Sequence, residues 1–156
     1  MRHRPLTAAL ALLALGCGAG EPVEERAGGP HKEVIVPGGG SAPSLFSPAI
    51  RTGDLIFLSG TLGTAPGQGL VEGGIGPETR QTLENVRTRL EAAGATMADV
   101  VKCTVFLADM ADYGEMNEVY TEFFPDEPPT RSTLAVRGLA LDASVEIECI
   151  AAAPRG

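Results

Sequence analysis

Apolar and polar positions along the chain follow two periods. At 143–152, "ASVEIECIAA", Val145, Ile147 and Cys149 alternate with Glu146, Glu148 and Ile150, which is the two-residue period of a strand with one face toward a core. "EVIV" at 33–36, "DLIFLSG" at 54–60, "VVKCTVFL" at 100–107 and "STLAVRG" at 132–138 are rich in branched and aromatic residues and predict further strands. From Pro77 to Ala93 the period changes. Leu83, Val86, Leu90 and Ala93 recur at helical spacing, with Pro77 suited to the first turn and Gly94 to the stop. A second helix is predicted within "MADYGEMNEVYTEFF", 110–124, where Met116, Val119, Tyr120, Phe123 and Phe124 form one apolar face. The glycine-rich stretch "TLGTAPGQGLVEGGIG" predicts turns, with a hairpin around Pro66 to Gly69.

Strands that alternate with helices and then pair at the C-terminal end predict an α+β domain, a mixed β-sheet with two helices packed on one face. Glu146 and Glu148 then project from the opposite face. That face either meets water or meets another subunit, because charged groups are rarely buried unpaired.

The chain's N-terminal part follows a different logic. "MRHRPLTAALALLALGC", residues 1–17, carries Arg2 and Arg4 ahead of an uncharged run from Leu6 to Leu15. That run is shorter than the about 20 residues a spanning helix needs, and it predicts a secretory signal. Ala14, Leu15, Gly16 and Cys17 resemble the lipobox of bacterial lipoproteins, whose cysteine is diacylated. That resemblance implies an exported protein held at a membrane by lipid on Cys17, on the periplasmic side of the outer membrane. Residues 18–32, rich in Gly, Pro and Glu, predict a flexible tether, and 33–156 the folded domain.

With 156 residues and 44% hydrophobic content, one modest core is expected. Twelve Lys and Arg against twenty Asp and Glu give a net charge of -8, and no basic cluster offers the footprint that a nucleic-acid backbone needs. An anionic ligand would have to be captured by one locally placed cation. Arg131, delivered by the proline-bearing turn in "FPDEPPTRSTLAVRG", 124–138, is placed for that role. Cys103 and Cys149 lie in phase with apolar neighbours. They predict buried thiols, or a disulfide if their Cα atoms come within about 7 Å. The Cys and His spacings form no metal motif.

The segment "VVKCTVFLADMADYGEMNEVYTEFFPDEPPTRSTLAVRGLALDASVEIECIA" resembles the RidA (YjgF) family of enamine/imine deaminases, through its "MNEVY" helix, its "PTRS" turn and its "VEIE" strand. "LFSPAIRTGDLIFLSG" and "TRQTLENVRTRLEAAG" extend the likeness, which covers about residues 33–152. The resemblance implies a homotrimer with ligand clefts between subunits, no cofactor or metal, and hydrolysis of reactive 2-imino or 2-enamino acids to 2-oxo acids and ammonia.

It implies, too, that Arg131 holds the substrate carboxylate, that Glu146 orients or deprotonates water, and that Ser59, Gly60, Asn117 and Thr133 line the cleft. Thr133 stands where many members have Cys. Phe46 occupies a substrate-binding position where well-known members have Tyr, so a hydroxyl is absent there. A non-catalytic module that binds small carboxylates or proteins at the membrane surface is the alternative. The ribonuclease role attributed to some relatives sits badly with the acidic charge.

Overall fold

The fold was obtained as a computed structural model, which describes residues 31–154 apart from Ser44. The leader, Cys17 and the tether up to residue 30 lie outside the described residues.

Among the described residues, nine strands and two α-helices run in the order β1 (Glu33–Ile35), β2 (Ala49–Thr52), β3 (Leu55–Leu58), β4 (Thr61–Leu62), β5 (Thr64–Ala65), β6 (Gly69–Leu70), α1 (Ile75–Ala92), β7 (Val100–Leu107), α2 (Tyr113–Phe123), β8 (Thr130–Ala135) and β9 (Val145–Ala152). The main sheet has the order β1-β2-β3-β9-β7-β8, with β4 continuing along β9 where β3 leaves off. All its pairings are antiparallel except β7 with β8, so the sheet is mixed as expected. The small β5–β6 hairpin forms at the predicted place.

One strand was not foreseen, one expected strand pairing is corrected, and one open alternative is decided. The segment "AIRT", assigned to no element above, is strand β2, which pairs with β3 across a tight turn where Gly53 adopts a left-handed φ of 55°. The polar Arg51 and Thr52 masked its alternation. The two C-terminal strands do not pair with each other, because β7 lies between β8 and β9. Finally, Cys103 and Cys149 stand directly opposite in the β7–β9 register, both buried, with Cα atoms 4.2 Å apart, and they are joined as a disulfide.

Both helices cover one face. The stripe Leu83, Val86, Leu90 and Ala93 of α1 and the stripe Met116, Val119, Tyr120 and Phe123 of α2 are buried against Val105, Leu107, Val145, Ile147 and Ala151 of the sheet. Helix α1 ends as its sequence predicts. Gly94, at φ 74°, lets its own N–H reach the Glu91 carbonyl and that of Ala95 reach the Leu90 carbonyl, closing the last turn. Buried Glu78 on α1 accepts hydrogen bonds from the backbone N–H and the hydroxyl of Ser144, at 2.8 and 2.9 Å. This tie fixes the entry of β9 just before Glu146.

Among the described residues no helix covers the opposite face. Val34, Ile50, Phe57 and Ile150 form one continuous row across β1, β2, β3 and β9, and Leu55 and Leu134 share that face. Val34, Leu55, Phe57 and Leu134 are each about two-fifths exposed, a larger apolar display than a wet face requires.

Candidate functional site

Strand β8 is an edge strand, parallel to β7, and Arg131 stands in register with Cys103, hence on the helix-covered side. Its guanidinium lies over the Tyr120 ring at 4.7 Å and the Tyr113 ring at 5.6 Å, and one NH2 donates to the Tyr113 hydroxyl at 3.1 Å. Among the described residues no carboxylate pairs with it. The two ion pairs present are Arg80–Glu122 and Arg87–Glu84. Beside Arg131 a groove of about 500 Å³ is lined by Asn117, Tyr120, Phe124, Pro128 and Pro129.

Three buried polar atoms in this neighbourhood, Asn117 Oδ1, the Tyr120 hydroxyl and Thr133 Oγ1, have no hydrogen-bond partner among the described residues. Each such orphan costs about 1–3 kcal/mol. Their gathering around one unpaired cation describes a place shaped for a polar guest.

The two phenols here titrate in opposite directions. Burial pushes Tyr120 up to about 12, partly countered by the charge of Arg131. The Asn117 side chain, then the charge and hydrogen bond of Arg131, hold Tyr113 below its ordinary value. These are the only two tyrosines in a chain without tryptophan, so ultraviolet titration is expected to show two separate phenolate steps. Because the folded state raises the Tyr120 pKa above the ordinary 10.0, the stability linked to its neutral phenol is present below pH 10. That stability is lost as pH rises toward about 12. A single step at pH 10 would contradict this environment.

Glu146 projects from the uncovered face, between Phe106 of β7 and Leu62 of β4 in register. Its neighbours are built around the break between β3 and β4. The Ser59 hydroxyl donates to the Ser47 carbonyl at 2.7 Å, and Ser59 N–H to the Pro48 carbonyl at 3.1 Å, so this break anchors the segment that carries Phe46, itself half-exposed. Beneath it Arg89 of α1 donates to the Ser59 carbonyl at 3.0 Å and the Thr61 hydroxyl at 2.7 Å. Burial lowers the Arg89 pKa from its ordinary value.

Gly60 leaves room for the Glu146 carboxylate. A Cβ there would lie 1.8 Å from Glu146 Oε1, so the carboxylate rests directly against the glycine backbone.

The residues singled out in the sequence therefore form two groups. Arg131, Asn117 and Thr133 gather on the helix side, and Ser59, Gly60 and Glu146 around the β3–β4 break. Arg131 and Glu146 are on opposite faces of the sheet, with β7 between their strands, so one chain does not bring them together. The strand period makes this unavoidable, because Arg131 is in phase with Cys103 while Glu146 is out of phase with Cys149. Sequence reasoning did not find Arg89, Glu78 or Tyr113 as site residues. Only the helical spacing of Tyr113, Asn117 and Tyr120 could have drawn attention to the last.

Comparison with known proteins places these features. The family model described as Endoribonuclease L-PSP matches residues 40–153. The chain is 46% identical over 107 residues to the chloroplastic Reactive Intermediate Deaminase A of Arabidopsis thaliana, covering 68% of this chain and 57% of that protein, little more than half its length. It is 42% identical over 107 residues to the 2-iminobutanoate/2-iminopropanoate deaminase of Mus musculus, covering 68% of this chain and 79% of the mouse protein. The crystal structure of E. coli TdcF with bound serine superposes with a TM-score of 0.71 at 33% identity, covering 80% of this chain and 99% of that one.

Proposed function

We propose, from the premise that this chain belongs to the RidA/YjgF/L-PSP family, that it hydrolyses 2-imino or 2-enamino acids to 2-oxo acids and ammonia. The observation that carries this reading is Arg131, a cation with no carboxylate partner among the described residues, beside polar groups equally without partners there, in a chain of net charge -8. Its planar fork matches a carboxylate through two parallel hydrogen bonds and fixes the adjacent C=N carbon in one place. A carboxylate then takes a proton from water as the oxygen adds to that carbon. That proton passes to nitrogen; the added hydroxyl then gives its own proton to nitrogen as well, so that the carbonyl forms, the C–N bond breaks and ammonia leaves. Glu146 is the residue for that step.

Since the two groups lie on opposite faces, the working site joins Arg131 of one copy to Glu146 of a neighbour, in a homotrimer. The uncovered apolar row through Val34, Ile50, Phe57 and Ile150 supports such an assembly. The buried disulfide supports an oxidising compartment, and with it the export read from the N-terminal segment, whose Cys17 is the residue that lipid would hold at the membrane.

The test is release of 2-oxobutanoate by the full chain from 2-iminobutanoate generated in place by a threonine dehydratase. A rate above the spontaneous one supports the reading, and a rate equal to it from a folded protein removes it. Phe46, which lacks a hydroxyl, favours a second reading in which the cleft binds small carboxylates without turnover, and binding with no rate gain would select it. Gly60→Ala is expected to leave stability nearly unchanged, since the flexible Glu146 side chain swings aside. It should lower kcat by roughly 100-fold through the displaced general base. Steady-state kinetics alongside thermal denaturation checks both halves of that expectation.

A further inference from the structure

Tyr113, Asn117 and Tyr120 succeed one another at i, i+4 and i+7 along the α2 face that borders β8. Tyr120 is core, but Tyr113 is 38% exposed and does not serve the core. Its hydroxyl oxygen meets the Asn117 side chain and Arg131, whose NH2 donates to it at 3.1 Å while its ring lies 5.6 Å from the guanidinium carbon. As an acceptor from Arg131, that oxygen leaves its own O–H free to turn outward. No acceptor takes it up among the described residues.

A guanidinium on an edge strand is otherwise a mobile cation, and bidentate recognition demands one orientation of its plane. Here one buried ring, one exposed ring and one hydroxyl together hold it. The exposed member of the three brings a second proton donor to the same spot.

We propose that Tyr113 is a recognition residue of the carboxylate site, orienting the Arg131 fork and donating its phenol proton to the same bound carboxylate. The assignment rests on the carboxylate-binding reading of Arg131. On this assignment the site draws a phenol from the start of α2, although position 46 supplies only a phenyl ring.

The full chain and its Tyr113→Phe variant would be compared in three measurements: the Kd of 2-oxobutanoate, KM and kcat for 2-iminobutanoate hydrolysis, and the change in tyrosine absorbance when 2-oxobutanoate binds. Removing one hydrogen bond to a charged group is expected to weaken Kd and raise KM by about tenfold, with kcat nearly unchanged. The ligand-induced absorbance change should shrink with loss of the Tyr113 hydroxyl, Tyr120 beside Arg131 supplying what is left. Tyr113→Leu, which removes the ring as well, should weaken Kd further.

An unchanged Kd in Tyr113→Phe, or an absorbance change of undiminished size, overturns the assignment. If the unsubstituted protein binds 2-oxobutanoate without hydrolysing the imine, the deaminase reading falls while the tenfold loss in Kd still sustains the role of Tyr113. If it does not bind at all, both fall.

Discussion

Arg131→Ala is expected to reduce kcat/KM for imine hydrolysis by about 100- to 1000-fold while the protein remains folded. Two charge-assisted hydrogen bonds to one carboxylate are lost together, at about 1.5–3 kcal/mol for each, with incomplete additivity. The corresponding loss in stability is small. Arg131 has no carboxylate partner among the described residues, and what the fold gives up is its stacking on Tyr120 and Tyr113, about 1 kcal/mol.

The separation between a large kinetic and a small thermal effect is the diagnostic result. Arg131→Lys should fall between wild type and alanine, since an ammonium keeps the charge but not the planar fork. Kinetics with all three proteins, each checked by thermal denaturation, decides the matter. Wild-type rates in Arg131→Ala would end the carboxylate-anchor role.

The second large effect concerns the disulfide. Cys103 and Cys149 are 46 residues apart in sequence, and on the chain-entropy account a loop of that length contributes about 4 kcal/mol. Against a total stability of about 5–15 kcal/mol this is a major share. The double replacement Cys103→Ala/Cys149→Ala should lower Tm by roughly 15 °C for a domain of this size. The effect reaches the site as well. Strand β7 lies between β8, which carries Arg131, and β9, which carries Glu146, and the disulfide fastens β7 to β9. Thermal denaturation of the oxidised protein and of the double variant tests this, and equal Tm values would show that the link is energetically idle.

Where function and fold were legible in the sequence, local physics was enough. The alternation in β9, the stripe and stop of α1 and the apolar face of α2 each arise from neighbours within a few residues, and each appears where its pattern placed it. Strand β2 was missed because four residues with two polar side chains carry too little alternation to register. The insertion of β9 between β3 and β7, and the parallel run of β8 beside β7, are long-range pairings that no local period encodes.

The same division holds at the site. Arg131 and Glu146 stood out by motif, whereas their separation onto opposite faces is a property of register. Glu78 and Arg89 look like ordinary charges of an amphipathic helix. Only the packed structure shows that one anchors Ser144 and the other supports the β3–β4 break.

The central place of β9 sets an order of events during synthesis. Strands β1 to β3 and the β7–α2–β8 unit are made first, yet neither has its inner neighbour until residues 145–152 have been added. A nascent chain lacking them is two separate sheet fragments with open edges, and the cooperative fold closes only when β9 emerges and joins them. Until residues 145–152 are made, the two parts of the sheet have no strand to join them, so the integrity of the whole fold hangs on its last strand.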